Sequence, residues 1–268
     1  MTSRPDEPRP DLPASIGLER AGSVLRVSLR RPAKRNALDD ATVLGLDRLF
    51  SALQPDIRAV VLTGEGEHFC SGLDLSELKE RDAAAGLRHS MMWHRAFEKI
   101  QFGPVPVVAV LKGAVIGGGL ELACAAHIRV AEHNAFYALP EGQRGIFVGG
   151  GASVRLPRLI GASRMMEMML TGRAYGAEEG VAIGFSHYLT EAGQGEAKAQ
   201  ELAEKVSGNA PMTNLALLQV FPRIVEADPA TGFVTEALMA AIAQSDEEAK
   251  SRMRDFLERR SGRVERPA

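Results

Sequence analysis

Val-Ile-Gly-Gly-Gly-Leu-Glu, residues 115–121, joins an apolar segment to a predicted helix through three consecutive glycines. Glycine has no side chain, so another molecule can lie directly against this backbone. The first N–H groups of a helix have no partner within it, and they can stabilise negative charge that develops on an oxygen atom. Glu121 falls in the first turn of the predicted helix, residues 120–126. The stretch therefore predicts an oxyanion-binding site with a carboxylate beside it.

The segments around this stretch predict an α/β fold. Residues 18–29 have the pattern of a strand pair, and residues 57–63 and 105–111 are short apolar runs typical of buried strands. Helical patterns lie between them, which favours a largely parallel sheet. Beyond about Leu189 the strand pattern ends, and we expect a helical appendage whose apolar faces pack on a neighbouring subunit.

Several helices can be located more closely. Asp39 or Asp40 is expected to cap the first, and residues 76–102 are mainly helical in pattern. Ser245 and Glu248 have the spacing of a capping box for the last helix. An apolar helical stripe in the appendage contains Ala199, Leu202, Ala203 and Val206.

Composition and charge restrict the class of protein. The 268 residues carry a net charge of −2, which offers no general attraction for nucleic acid or an anionic membrane surface. Cys70 and Cys124 are too few for a disulfide framework, so we expect a reducing, cytoplasmic compartment. Residues 105–126, the most apolar region, are interrupted by Lys112 and do not predict a membrane span. Residues 1–14 carry four prolines and are expected to be a disordered lead-in, not a secretory signal.

A second segment with chemical potential reads His-Phe-Cys-Ser-Gly-Leu-Asp-Leu, residues 68–75. Gly72 permits a sharp turn, and the N–H group of Leu73 could then point outward as a second donor to one oxygen. The same residues are also typical of a plain strand-to-helix turn, with Asp74 as the helix cap.

Glu141 lies twenty residues after Glu121, in the segment Leu-Pro-Glu-Gly at 139–142. Two carboxylates in one cleft can divide the work of activating a water and moving a proton. Each also has a plainer interpretation. Glu121 can simply stabilise the helix through the favourable interaction of its negative charge with the helix dipole, and Glu141 can belong to a solvated loop.

Other catalytic motifs are absent from the sequence. Phe69 stands where a dinucleotide-binding fingerprint would need its third glycine. The chain contains no Gly-Lys pair of a phosphate-binding loop, no Gly-x-Ser-x-Gly elbow and no HExxH motif. Nucleotide, serine-nucleophile and metal chemistry are therefore disfavoured, and no metal site is predicted.

In combination and in this order, the segments resemble the crotonase superfamily and, within it, the enoyl-CoA hydratases. The likeness extends from about residue 15 to residue 260. The segments that carry it are residues 31–32, 36–38, 69–75, 117–123, 140–141, 155–161 and 170–173.

This resemblance implies an α/β spiral of repeated ββα units at residues 15–190, which binds acyl-CoA, and a helical trimerisation region at residues 191–268. It implies a homotrimer, or a hexamer built as a pair of trimers. Coenzyme A would enter as part of the thioester substrate, and no separate cofactor is expected.

The same resemblance implies roles for individual residues. The backbone N–H groups of Leu73 and Gly118 would form the oxyanion hole. Glu121 would act on water as the base and Glu141 would deliver a proton to C2, so that water adds across the 2,3 double bond of a trans-2-enoyl-CoA. The implied contacts to CoA or substrate are Ala33, Arg35, Ala37, Ser71, Asp74, Leu75 and Gly117. Arg259 or Arg260 of an adjacent subunit could approach a phosphate, although such arginines are equally typical of a solvated surface.

Some residues depart from the family pattern. His127 stands where aspartate is frequent, Val148 replaces a frequent proline, and Ile116 places a branched side chain before the glycines. These changes could reshape the acyl pocket. The family's variable acyl-facing helix contains Met91, Met92 and Trp93, although a Met-rich helix is more often ordinary core.

Two other functions stay open at this point. One is another crotonase activity on an acyl-CoA, namely double-bond isomerisation, hydration with C–C cleavage, or decarboxylation. The other is a non-catalytic acyl-CoA-binding protein. The glutamate pair argues against the second, since a pure binder needs no two carboxylates beside a thioester. RNA binding has no support from the net charge of −2.

Overall fold

The computed structural model describes residues 11–74, 76 and 80–258. The first ten residues of the predicted lead-in, Leu75, Arg259 and Arg260 lie outside the described residues. The strands are β1 (Ile16–Ala21), β2 (Val24–Leu29), β3 (Ala59–Gly64), β4 (Val107–Leu111), β5 (Ala114–Ile116), β6 (Ile128–Glu132), β7 (Phe136–Ala138), β8 (Tyr175–Gly176) and β9 (Tyr188–Thr190). The helices are α1 (Asp40–Ser51), α2 (Ala83–Gln101), α3 (Gly118–Ala125), α4 (Ala152–Ile160), α5 (Ala162–Thr171), α6 (Ala177–Ala182), α7 (Gly195–Ser207), α8 (Pro211–Leu215), α9 (Phe221–Glu226), α10 (Pro229–Ser245) and α11 (Glu247–Leu257).

Six strands form one sheet in the order β1-β2-β3-β4-β6-β9. β1 and β2 make an antiparallel hairpin, and the later neighbours in this sheet are all parallel. β5, β7 and β8 form a small second sheet, so that β4, β5 and α3 make one strand-strand-helix unit. The largely parallel α/β arrangement that the sequence predicts is therefore confirmed.

The central strands of the main sheet, β3 and β4, are buried on both faces. Val60 and Leu62 of β3 pack into the larger apolar core, whereas Val61 between them faces a second core. α7 covers that second face with the predicted stripe, of which Ala199 and Ala203 are fully buried. This helix therefore belongs with the sheet.

The chain divides into two compact units between Ser207 and Gly208. The predicted boundary after residue 190 is earlier, because the sequence pattern changes from strands to helices there. The change of pattern does not coincide with the end of the first unit, since α7 still packs against β3 and β4.

The second unit contains α8 to α11. The carboxylate of Asp246 caps α11 by accepting hydrogen bonds from the N–H groups of Glu248 (3.1 Å) and Ala249 (3.2 Å). Ser245 is the last residue of α10 and does not serve as this cap, so the predicted capping box is wrong. Asp246, one residue later, is a charged acceptor, and hydrogen bonds to a charged acceptor are the stronger kind.

Other helix starts differ from expectation by a few residues. Asp39 caps α1 as predicted, accepting from the N–H group of Thr42 at 2.8 Å. α2 begins only at Ala83, because Asp82 is its cap. In the described part of the chain, no helix is long and apolar enough to cross a membrane.

Candidate active site

A cavity of about 380 Å³ lies in the first unit, where the predicted motifs meet. Predicted site residues that line it are Ser71, Leu73, Gly117, Gly118, Glu121 and Glu141. The other described candidates, Ala33, Arg35, Ala37 and Asp74, are not among the lining residues.

Leu73 owes its orientation to a pairing with Leu38. The N–H group of Leu38 donates to the carbonyl of Gly72 (2.7 Å), and the N–H group of Asp74 donates to the carbonyl of Leu38 (2.8 Å). In a parallel pairing of this kind, the residue between the two bonds directs its own N–H group to the opposite side. Gly72, with φ of 93°, supplies the left-handed turn that this path needs.

The N–H group of Gly118 lies beside that of Leu73. Gly118 is the first residue of α3, so its N–H group has no partner within the helix. A Cβ atom placed on Gly72 would lie 3.1 Å from the nitrogen of Gly118, and one placed on Gly118 would lie 3.4 Å from the nitrogen of Leu73. Two main-chain donors from distant segments thus come together at one wall of the cavity.

Each glycine of the triplet permits a different close approach. A Cβ atom on Gly117 would lie 2.5 Å from Oε1 of Glu141, and one on Gly118 would lie 2.6 Å from the ring of Trp93. A Cβ atom on Gly119 would meet the carbonyl oxygen of Cys70 at 2.3 Å. These distances are shorter than van der Waals contact. The absence of side chains on these glycines therefore lets a carboxylate, an indole and the backbone at Cys70 come close together here.

Glu121 is almost completely buried, with 4% of its surface exposed. Its Oε1 atom accepts hydrogen bonds from the N–H groups of Gly150 (2.8 Å) and Ala152 (3.0 Å) at the start of α4. Burial raises the pKa of this carboxyl, and the two N–H donors and the charge of Arg155 oppose the rise. The other oxygen, Oε2, lies 2.7 Å from the position of a Cβ atom on Gly150, a residue that lines the cavity.

Glu141 is less buried than Glu121. It follows β7 and precedes a short 3-10 turn, and its Oε2 atom is buried without a hydrogen-bond partner among the described residues. Burial, together with the negative charge of Glu121, raises the pKa of Glu141 to about 7. A carboxyl with this pKa can hold or release a proton near neutral pH.

The arrangement is suited to acid–base chemistry on a substrate whose oxygen gains negative charge. The residues that carry the two amide groups, Leu73 and Gly118, line the cavity, as do two carboxyl groups with unequal hydrogen bonding. In the described part of the chain, no cluster of three or more His, Cys, Asp or Glu side chains has the geometry of a metal site.

Known proteins provide an independent comparison. The sequence model of the enoyl-CoA hydratase/isomerase family matches residues 19–266. The chain belongs to this family. It is 32% identical over 249 residues to the short-chain-enoyl-CoA hydratase of Clostridium acetobutylicum, covering 92% of this chain and 95% of that protein. It is 34% identical over 219 residues to the carnitinyl-CoA dehydratase of Escherichia coli, covering 77% and 80% of the two chains.

A solved structure agrees in fold. A candidate enoyl-CoA hydratase from Rhodopseudomonas palustris superimposes with a TM-score of 0.90 at 60% sequence identity, covering 92% of this chain and 96% of that one. The crotonase-like α/β fold predicted from the sequence motifs is therefore confirmed for this enoyl-CoA hydratase/isomerase family member.

Asp74 has a structural setting in this family member. Its Oδ2 atom accepts from Arg31 (2.5 Å) and Lys34 (2.8 Å), and its Oδ1 atom accepts from the backbone N–H and the hydroxyl of Ser76. The ammonium of Lys34, together with the Ser76 and Arg31 donors, holds the pKa of this carboxyl well below its usual range. Both carboxylate oxygens are thus engaged within the protein, and they tie the loop before α1 to the segment of Leu73.

The loop that contains Ala33 and Arg35 is exposed and has an unusual backbone. Arg35 and Asn36 have φ of 50° and 55°, which side-chain-bearing residues rarely adopt. The carbonyl of Arg35 accepts from the N–H group of Ser71 (2.9 Å), and Asn36 donates to the carbonyls of Glu65 and His68. Ala37, in contrast, is buried.

The sequence motifs missed one part of the site. The loop Gly149-Gly150-Gly151 supplies a donor to Glu121 and lines the cavity, and Gly151 has φ of 105°. A second run of three glycines, directly before α4, was the available signal, since it repeats the pattern of residues 117–119. Arg155 fixes this loop by donating to the carbonyl of Gly150 at 3.0 Å.

Proposed function

We propose that the protein is an enoyl-CoA hydratase, which adds water across the 2,3 double bond of a trans-2-enoyl-CoA. The observation that carries this proposal is the presence of Glu121 and Glu141 at one cavity beside the amide groups of Leu73 and Gly118. The relatives named short-chain-enoyl-CoA hydratase and carnitinyl-CoA dehydratase support it, because hydration and dehydration are the two directions of one reaction.

In the proposed mechanism the thioester oxygen accepts hydrogen bonds from Leu73 and Gly118. These donors stabilise the enolate that forms when a nucleophile adds to C3. The two N–H donors to Glu121 stabilise its ionised form. Glu121 therefore takes a proton from the attacking water.

Glu141 donates the proton that C2 needs. Its Oε2 atom lacks a hydrogen-bond donor among the described residues, and burial favours its protonated form. In dehydration the two groups exchange roles, as microscopic reversibility requires. The reaction needs no separate cofactor or metal, because coenzyme A is part of the substrate.

For the CoA moiety we propose the exposed loop with Ala33 and Arg35 and the main chain at Ser71. These two segments are joined by the hydrogen bond from Ser71 to the carbonyl of Arg35. Asp74 would contribute to this CoA site by holding the loop before α1 through its ion pairs with Arg31 and Lys34. Gly117 would contact the substrate through its backbone.

We further propose a homotrimer or a pair of trimers in the cytoplasm. Helices α9 and α10 carry exposed apolar side chains that an aqueous monomer would leave in water. They are Phe221, Val225, Phe233, Val234, Leu238 and Ile242.

A direct assay tests the catalytic proposal. Purified protein is mixed with crotonyl-CoA, loss of the enoyl-thioester absorbance is followed, and the product is identified by mass spectrometry. Glu121→Gln and Glu141→Gln should each reduce kcat by at least about 100-fold. Glu204→Gln, an exposed glutamate on α7, is the matched control and should keep wild-type activity. Full activity in both site variants would refute the mechanism, and an isomerised, cleaved or decarboxylated product would refute the assignment as a hydratase.

A further inference from the structure

Trp93 borders the place where the reaction must occur. The indole edge atom Cζ3 lies 2.6 Å from the position of a Cβ atom on Gly118, and the nitrogen of Leu73 lies 3.4 Å from the same position. On the other side, Cε3 lies 3.2 Å from the position of a Cβ atom on Gly150, which is 2.7 Å from Oε2 of Glu121. The indole edge therefore spans the gap between the two amide donors and the Glu121 carboxylate.

This placement decides which part of a substrate meets the indole. If the thioester oxygen lies at the amide donors and the water activated by Glu121 adds at C3, then C2 and C3 occupy the gap. The indole edge runs alongside that bond. Neither Gly118 nor Gly150 has a side chain that could fill the gap. A Cβ atom on Gly118 would collide with the ring at 2.6 Å, and one on Gly150 would collide with Oε2 of Glu121 at 2.7 Å.

The indole is held firmly in this position. Trp93 is 4% exposed, and its ring packs edge-on against the fully buried Phe97 with centroids 5.6 Å apart. On its other side the ring of His89 lies 6.0 Å away, and His89 is itself bonded to Asp40 at 2.8 Å. A ring held between such neighbours cannot swing aside for a bulky ligand without repacking the core.

The indole N–H group helps to show why residue 93 is tryptophan and not phenylalanine. Nε1 is buried without an acceptor in the described part of the chain, and a buried unpaired donor is destabilising. Phenylalanine would avoid that cost while keeping an aromatic ring. The fold therefore gains nothing from the N–H group, and what tryptophan adds over phenylalanine is its length toward the cavity.

We propose that Trp93 determines specificity by excluding enoyl groups that are branched at C2 or C3. This inference rests on the proposed hydratase function and refines it: the substrates are trans-2-enoyl-CoAs with a flat, unbranched reacting segment. A methyl branch on either carbon would press against the indole edge.

The test compares crotonyl-CoA with 3-methylcrotonyl-CoA and 2-methylcrotonyl-CoA in the wild type, Trp93→Phe and Trp93→Leu. The ratio of kcat/KM for the unbranched to the branched substrate should fall about 10- to 200-fold in Trp93→Leu, the usual effect of a methyl group in an apolar pocket. Trp93→Phe should give a smaller fall. Met91→Leu, on the exposed side of α2, is the matched control and should leave the ratio unchanged. An unchanged ratio in folded Trp93 variants would overturn the inference, as would wild-type protein that hydrates branched and unbranched substrates equally well.

A binding measurement separates this inference from the hydratase proposal. Calorimetry of the wild type and of the two Trp93 variants with butyryl-CoA and with 3-methylbutyryl-CoA needs no turnover. Wild-type protein should bind the branched thioester at least about 10-fold more weakly, and Trp93→Leu should narrow that difference. Equal binding of the two thioesters by wild-type protein would refute the role of Trp93, even if hydration of crotonyl-CoA is observed. Failure to hydrate crotonyl-CoA with the binding difference intact would instead refute the hydratase function alone.

Discussion

Glu121 and Glu141 are one residue type in two unlike surroundings. Glu121 accepts two main-chain hydrogen bonds, whereas the Oε2 atom of Glu141 has no partner in the described residues. Burial raises the pKa of both, but the hydrogen bonds offset part of the rise in Glu121. At the residue scale, this difference supports Glu121 as the proposed base and Glu141 as the proposed acid.

The raised pKa of Glu141 predicts the pH dependence of hydration. Since the proposed acid must carry its proton and its pKa is about 7, kcat/KM should fall about tenfold per pH unit above pH 7. The measurement is kcat/KM for crotonyl-CoA from pH 5.5 to 9, with Glu204→Gln as the control that keeps the same profile. A level profile up to pH 9 would contradict the assignment of Glu141 as proton donor.

His127 predicts a loss of stability in acid. Its Nδ1 atom accepts from the N–H group of Val107 and its Nε2 atom bonds the carbonyl of Gln101, so the ring is neutral in the fold. Burial lowers the pKa of His127 from 6.5 to about 4. Between these values the unfolded chain takes up a proton that the folded chain excludes, so the stability falls as the pH falls from 6.5 towards 4.

The size of this effect can be measured by urea unfolding at pH 8 and pH 5. Because His127 keeps some exposure, we expect it to account for about 1–2 kcal/mol of the difference in unfolding free energy. His127→Asn preserves the acceptor for Val107 and removes the titration, so the variant should lose less stability between the two pH values than the wild type. Equal losses would show that His127 is not the titrating group.

At the element scale, the turn at Gly72 connects the fold to the site. Its φ of 93° is strained for any other residue, and a Cβ atom there would lie 2.7 Å from the carbonyl oxygen of Ile116. Gly72→Ala should therefore displace the amide of Leu73 and lower kcat/KM by about 100-fold, as small misplacements in active sites do.

Gly193 is a matched control for this substitution. It has φ of 80°, and no atom lies within 4 Å of a Cβ position. Gly193→Ala should destabilise the protein by about 1–2 kcal/mol through backbone strain alone, with kcat/KM unchanged. Equal effects of the two substitutions on kcat/KM would show that contact with the oxyanion segment is not what makes Gly72 necessary.

The elements also show how far local sequence determines structure. β3 and β4 were predicted because their β-branched runs fit a sheet buried on both faces. The starts of α2 and α11 were misplaced, because Asp74 and Ser245 are cap-forming residues that precede the aspartates that serve as caps, Asp82 and Asp246. Which of two candidate caps is used depends on where the helix packs, and the local pattern does not contain that information.

The site was predicted only in part, for a related reason. Glu121, Glu141, Leu73 and Gly118 belong to ordered motifs, so the resemblance to a family could bring them together. The loop at residues 149–151 and the orientation of Trp93 depend on tertiary packing, and α2 alone does not show which of its faces borders the cavity. Met91 proved to be exposed on this helix, whereas Trp93 is buried.

At the scale of the whole molecule, the exposed apolar side chains of α10 predict association of subunits. Leu238 is 61% exposed, and a charge at a buried intersubunit position is costly. Leu238→Glu should shift the sedimentation coefficient from that of a trimer or hexamer to that of smaller species. Glu204→Gln should sediment like the wild type. A wild-type monomer, or an unchanged oligomer in Leu238→Glu, would contradict the proposed association.

The pairing of Leu73 with Leu38 has a consequence for mutagenesis. The proposed donor at residue 73 is a backbone N–H group, which alanine would also supply. An alanine scan would therefore find little effect at Leu73, although its amide takes part in the proposed reaction. Replacing that single amide by an ester through semisynthesis removes the donor and leaves every side chain intact. Changes that reduce activity are instead expected at the positions that orient this peptide group, namely Gly72 and the backbone of Leu38.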